Sequence, residues 1–278
     1  MRRSVRTNRL KWVQVNCALF PRSPDGELYF PWTQLAEAIE TWRTNERFER
    51  FFFMRKSPGL RLRFWGIDLE ERLEPVLVAW LELAELQNLI RGFRFVLYEP
   101  EEFRFGGPSG MSIAHDHFDR DSRIAMRYQI LLEFGLKALP RDLLSVAITN
   151  DLFTRCVGDR AEVWDIWQRL QRALGDETGK QLLTASDLQR ERDAVLGSAA
   201  FMQNLSPEET QLICDAQVDN QHIAARLHSA EIAGRISVSV RKWLVSASIF
   251  HWNRLGLTSE ELNPMVIRLS QIWDPVEP

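Results

Sequence analysis

The chain has 278 residues, 45% of them hydrophobic and 26% charged, which is enough for a sizeable core in one large domain or two smaller ones. A formal net charge of −3 gives no basic excess for general nucleic-acid binding, and no apolar run approaches the length of a membrane span. The basic start, MRRSVRTNRLK, lacks the apolar stretch of a secretion signal, and three isolated cysteines (Cys17, Cys156, Cys214) offer neither metal spacing nor a disulfide framework, so a reduced cytoplasmic compartment is expected.

Trp12 to Phe20 alternates, with Val13, Val15, Cys17 and Leu19 on one side and Trp12, Gln14, Asn16 and Ala18 on the other, which predicts a half-buried strand. Pro21 to Pro31 reads as a loop, and a helix opening near Pro31 carries the stripe Trp32, Leu35, Ile39, Trp42. Phe48–Arg55 and Leu60–Trp65 are β-rich runs on either side of Ser57-Pro58-Gly59, the pattern of a hairpin. Asp68 and Glu71 have the spacing of a capping box before a helix lined by Leu69, Leu73, Leu77, Trp80 and Ala84, in which Pro75 marks a kink or a late start. Gly92 then precedes a strand over Phe93–Tyr98. The order is strand, helix, strand, strand, helix, strand: a ferredoxin-like βαββαβ layer with an antiparallel sheet, spanning residues 1–110.

From Gly110 onward the pattern is helical, so the fold class is α+β with a mainly helical region over 111–278, packed with the sheet as one domain. Helices are expected over Ser109–Phe134, Arg141–Cys156, Ala161–Leu174, Thr184–Leu196, Pro207–Ala233, Val238–Leu255 and Ser259–Trp273, with Ser206-Pro207-Glu208-Glu209 a strong start signal. Gly175–Gly179 and Gly197–Ser206 read as loops in a polar, weakly periodic stretch.

Strand alternation puts Arg61, Arg63 and Trp65 on one sheet face. Two arginines there are costly to bury unpaired, so the face is either solvated, or pairs them with carboxylates, or forms an anion site of the kind guanidinium forks build. His115 and His117 invite a metal, but residues two apart on a helix diverge, and no HExxH or cysteine cluster accompanies them; no metal is expected. His115 and Asp119 do share a face, which suits a hydrogen-bonded pair or a substrate contact. FGGPSGM lacks the lysine and spacing of a phosphate cradle, and there is no GxSxG elbow.

The stretch LYEPEEFRFGGPSGMSIAHDHFDRDSR carries Tyr98, Glu101, Arg104, Gly106, Gly107, Pro108, Gly110, Met111, His115, Asp116, Asp121, Ser122 and Arg123 in an order that resembles the thiopeptide-type bacteriocin biosynthesis proteins. These are similar to the carboxy-terminal elimination domain of lantibiotic dehydratases. The resemblance implies a lyase of ribosomal peptide maturation that removes glutamate from glutamylated Ser or Thr, leaving dehydroalanine or dehydrobutyrine, with no cofactor. It implies Arg63, Arg104 and His251 as catalytic residues. It makes Arg61, Tyr98, Glu101, His115, Asp121, Asn253 and Arg254 candidates for substrate binding. The partners implied are a precursor peptide and a separate glutamylating subunit that uses glutamyl-tRNA; no direct nucleic-acid or membrane contact is expected, and the chain could pair as a homodimer.

Two departures stand out. Gly59 occupies the position before the arginine strand where the family usually has histidine. Ile249, not His251, stands four residues before Asn253, and a two-residue shift turns a helical side chain by roughly 200°. Such losses would also suit a pyridine synthase, which joins two dehydroalanines and expels the leader peptide. A third reading is a module that binds the leader without catalysis.

Overall fold

The computed structural model describes residues 10–20, 30–175, 192, 193, 195 and 199–275. The chain divides into two compact units, residues 1–99 and 100–278. No helix among the described residues is long and apolar enough to cross a membrane.

The first unit contains β1 (Leu10–Ala18), α1 (Trp32–Thr44), β2 (Arg50–Lys56), β3 (Gly59–Ile67), α2 (Leu69–Arg72), α3 (Glu74–Leu86) and β4 (Gly92–Val96). The strands form one sheet in the order β2-β3-β1-β4, every neighbouring pair antiparallel. Period-two alternation sends Val15, Phe51, Phe53, Leu62 and Phe64 to one face, where all are fully buried. Trp32 packs on Phe53 and Trp42 on Phe64, so α1 covers that face. Each such buried side chain contributes about 1.5–3 kcal/mol of apolar transfer.

Local chemistry changes three expected boundaries. Asp68 does not cap: its backbone is left-handed (φ 50°) and its side chain makes no cap hydrogen bond, so the Asp68/Glu71 box does not form. The helical run instead breaks after Arg72 and restarts at Glu74, with Pro75 in the first turn, where its missing N–H costs nothing. The last strand ends at Val96, which leaves Tyr98 beyond the ladder.

The second unit is helical: α4 (Pro108–Glu133), α5 (Arg141–Val157), α6 (Arg160–Leu174), α7 (Ala199–Gln203), α8 (Pro207–Ile232), α9 (Val240–Leu255) and α10 (Ser259–Ile272). The loop Pro21–Pro31 and the helix Thr184–Leu196 expected from sequence lie largely outside the described residues, as does the loop Gly175–Gly179 past its first residue. Ala199–Gln203 is a short helix where a loop is expected. Ser206 and Glu209 form the capping box that opens α8, and Thr258 with Glu261 forms another before α10. Helix α4 packs on α8 and α9, and α5 packs on α6, α8 and α9.

The glycines of FGGPSGM have separate reasons. Gly106 and Gly107 turn the chain at φ 80° and 95°. Pro108 takes the first turn of α4. A Cβ on Gly110 would lie 1.8 Å from the Phe105 carbonyl oxygen, so only glycine fits there, and its own carbonyl accepts the Trp243 Nε1–H at 3.1 Å.

Candidate functional site

In the first unit, Arg63 sits between Gln14 on β1 and Phe52 on β2, its direct register partners. Its side chain is 8% exposed. Arg63 Nε donates to Gln14 Oε1 at 2.7 Å, and Gln14 in turn donates to Asn16. The guanidinium lies 4.6 Å from the Tyr98 ring centroid and 5.0 Å from that of Phe52. Trp12 closes the cluster, edge-on to both Phe52 and Tyr98. A cation held against aromatic faces keeps its charge with only part of its hydration shell. Arg61, two residues away on the same face, is half-buried opposite Asn16 and Met54, and among the described residues its guanidinium has no hydrogen bond or ion pair.

Gly59 begins that strand. A Cβ there would stand 2.2 Å from the Cys17 carbonyl oxygen and 2.7 Å from Leu19 Cγ, so this backbone has no room for the histidine usual at that position.

The second unit holds a buried polar cluster. Asp121 on α4 accepts from Arg254 Nε at 2.5 Å and from His251 Nδ1 at 2.6 Å, both on α9. Exposure is 4% for Asp121, 1% for His251 and 0% for Arg254. Burial alone would raise the Asp121 pKa, but Arg254 and His251 outweigh it and hold the carboxyl far below the usual range. Burial lowers the Arg254 pKa, and Asp121 offsets part of this. Since Asp121 is ionised, it only accepts, and Nδ1 of His251 must carry the proton between them. Nε2 is the ring nitrogen turned away from the carboxylate, and it is buried with no hydrogen-bond partner among the described residues.

His117, one turn before Asp121 on α4, was weighed from sequence only as half of a metal pair with His115. Its ring lies 5.9 Å from that of Trp243, and burial pushes its pKa down to about 3, so it is neutral beside the cluster. His115 is also buried, near Phe118. Asp119 pairs with Arg123 and Asp116 with Arg226.

Arg104 is exposed in the turn before α4. Its Nε pairs with Glu101 Oε2 at 3.1 Å, and its guanidinium lies 5.7 Å from the Phe250 ring centroid, the residue before His251. Asn253 is half-buried on α9. Within this unit, then, Asp121, His251 and Arg254 meet between α4 and α9, and the Glu101–Arg104 pair touches α9 at Phe250. In the first unit, Arg61 and Arg63 share a sheet face, and Tyr98, past the last strand, packs on Arg63. No group of three or more His, Cys, Asp or Glu among the described residues has the geometry of a metal site.

Comparison with curated protein sequences gives no match. Among solved structures, the tRNA-dependent lantibiotic dehydratase MibB from Microbispora sp. 107891 aligns with a TM-score of 0.68 at 18% identity, over 94% of this chain and 28% of that one. TsrL aligns with a TM-score of 0.56 at 13% identity, over 96% of this chain and 94% of that one. The pyridine synthase TbtD from thiomuracin biosynthesis gives 0.52 at 13%, over 96% and 98%. The chain thus spans under a third of MibB and nearly all of the other two, and what it shares with them is the fold. The family profile described as lantibiotic biosynthesis dehydratase C-term matches residues 32–268, a stretch that takes in both the arginine strand and the Asp121–His251–Arg254 cluster. The chain belongs to the C-terminal domain family of lantibiotic biosynthesis dehydratases.

Proposed function

We infer that the chain is a lyase that eliminates glutamate from glutamyl esters on Ser or Thr of a precursor peptide. The observation that carries this reading is the Asp121–His251 pair. A buried carboxylate on Nδ1 orients the ring, stabilises the imidazolium formed on protonation, and leaves Nε2 as the base. In the reaction Nε2 takes the Cα proton. The electron pair forms the Cα–Cβ double bond, the Cβ–O bond breaks, and glutamate leaves as a carboxylate. Negative charge builds first on the enolate oxygen and then on the leaving group. Arg104, exposed and only partly engaged by Glu101, is the cation for that charge in the second unit. In the first unit the family pattern implies Arg63 and Arg61 as cations, and Gln14 and Tyr98 hold Arg63. The substrate is a peptide that already carries the glutamyl ester.

One observation favours a second reading. Gly59 has no space for the family histidine, and a changed reaction such as the cycloaddition of a pyridine synthase is compatible with its loss. The test of the leading reading uses a synthetic peptide with one glutamyl ester on an internal serine. Arg104→Ala should slow glutamate release about a hundredfold while peptide binding changes little, because the guanidinium acts on charge that develops during the reaction. Equal loss of binding and rate would assign Arg104 to docking instead.

A further inference from the structure

Arg104 lies on a mobile kind of side chain in an exposed turn, yet a charge meant for one developing oxyanion has to be aimed. The packing beneath it supplies a support. Its guanidinium lies over Phe250, and Phe250 stacks on Phe118 with ring centroids 4.9 Å apart and planes 8° from parallel. Phe118 also receives the Arg254 guanidinium at 4.7 Å, and Arg254 and His251 meet on Asp121. Phe105, fully buried right after Arg104, wedges edge-on against Phe118, Trp243 and Phe250. Each ring is therefore pinned by at least two others, and Phe250 presents its face from a helix and not from a loop.

We propose that Phe250 is a positioning residue that holds the Arg104 guanidinium in register with His251 through a cation–π contact. The proposal rests on the reading of Arg104 and His251 as reacting groups. Its chemistry is specific. A flat π-face attracts the cation without neutralising it, whereas a second carboxylate there would cancel the charge the reaction needs. Glu101 alone, an exposed i,i+3 partner, fixes little.

The test is a double-mutant cycle on the same glutamyl-ester peptide. Phe250→Leu keeps most of the volume and removes the π-face; it should lower kcat about 2- to 5-fold, the rate equivalent of an exposed cation–π contact, with KM unchanged. Phe250→Tyr should restore the rate. In an Arg104→Ala background, Phe250→Leu should cost nothing further. An equal loss in both backgrounds would make Phe250 a packing residue and overturn the proposal. If Arg104→Ala itself retains full rate, the elimination reading of Arg104 and this proposal fall together. A readout independent of turnover separates the two. In arginine-labelled protein, the Arg104 Nε resonance should move on Phe250→Leu and hold on Phe250→Tyr; a resonance indifferent to both would overturn the contact alone.

Discussion

Asp121→Asn removes the charge that neutralises Arg254 in a place where Arg254 is 0% exposed. The substituted amide leaves a guanidinium buried with no counter-charge at its Nε, and His251 loses the anion on Nδ1. Breaking a buried ion pair from one side costs about 3–5 kcal/mol. At roughly 2–4 °C per kcal/mol for a unit of this size, melting should fall by about 6–20 °C. Urea denaturation, followed by circular dichroism on the helical signal, gives the free energy directly. The control is Asp121→Leu with Arg254→Met. It removes both charges while keeping volume, and it should be clearly more stable than Asp121→Asn, since apolar replacements of a buried pair are often neutral. A loss below about 1 kcal/mol for Asp121→Asn, or a double variant worse than the single, would refute the view that Arg254 is held charged by Asp121.

His117 gives a pH prediction. Its pKa is depressed by burial, with Arg254, His251 and Arg120 adding to the effect and Asp121 opposing it. Between about 3 and its ordinary 6.5 the unfolded chain binds the proton that the folded chain refuses. Stability is therefore complete above 6.5 and is lost as pH falls, at up to about 1.4 kcal/mol per pH unit. Denaturation midpoints measured from pH 7 to 5 should decline, and His117→Phe should flatten the decline; an unchanged slope would mean that another group causes it. Asp121, also depressed, contributes only below its ordinary carboxylate range and does not interfere in that window. Gly59→His should not add activity. It places a side chain against the Cys17 carbonyl and should destabilise the first unit by about 1–3 kcal/mol, read by the same denaturation, and a stable, more active variant would contradict the packing described.

The strands of the first unit were legible because alternation is local: Val13, Val15 and Cys17 announce their face within six residues, and Ser57-Pro58-Gly59 announces the hairpin. The capping of α2 was not. Asp68 and Glu71 have the right spacing, but the chain enters α2 through a left-handed residue, and that conformation depends on how the strand before it ends. The arginines of the candidate site were visible as types and spacing. Their partners were not, since Gln14 reaches Arg63 through strand register and Phe250 reaches Arg104 through tertiary packing. His251 shows the limit most clearly. Counted along the chain from Asn253 it stands off the expected face. In the structure it is buried on Asp121, 130 residues earlier, while Ile249 is half-buried elsewhere on the helix. No periodicity within α9 encodes a partner on α4, although a histidine and an arginine three residues apart among the large apolar residues of its last turns were a signal that a buried carboxylate could meet them.

Elimination changes the mass of the peptide, and mass spectrometry reads that change. The protein is incubated with a serine-glutamylated peptide and, separately, with a leader-bearing peptide that already contains two dehydroalanines. The first peptide should lose one glutamate per ester and gain a dehydroalanine, while the second keeps its mass. Loss of the leader from the second peptide with the first unchanged would contradict elimination and establish the cycloaddition reading; both peptides retained but bound would leave a binding module.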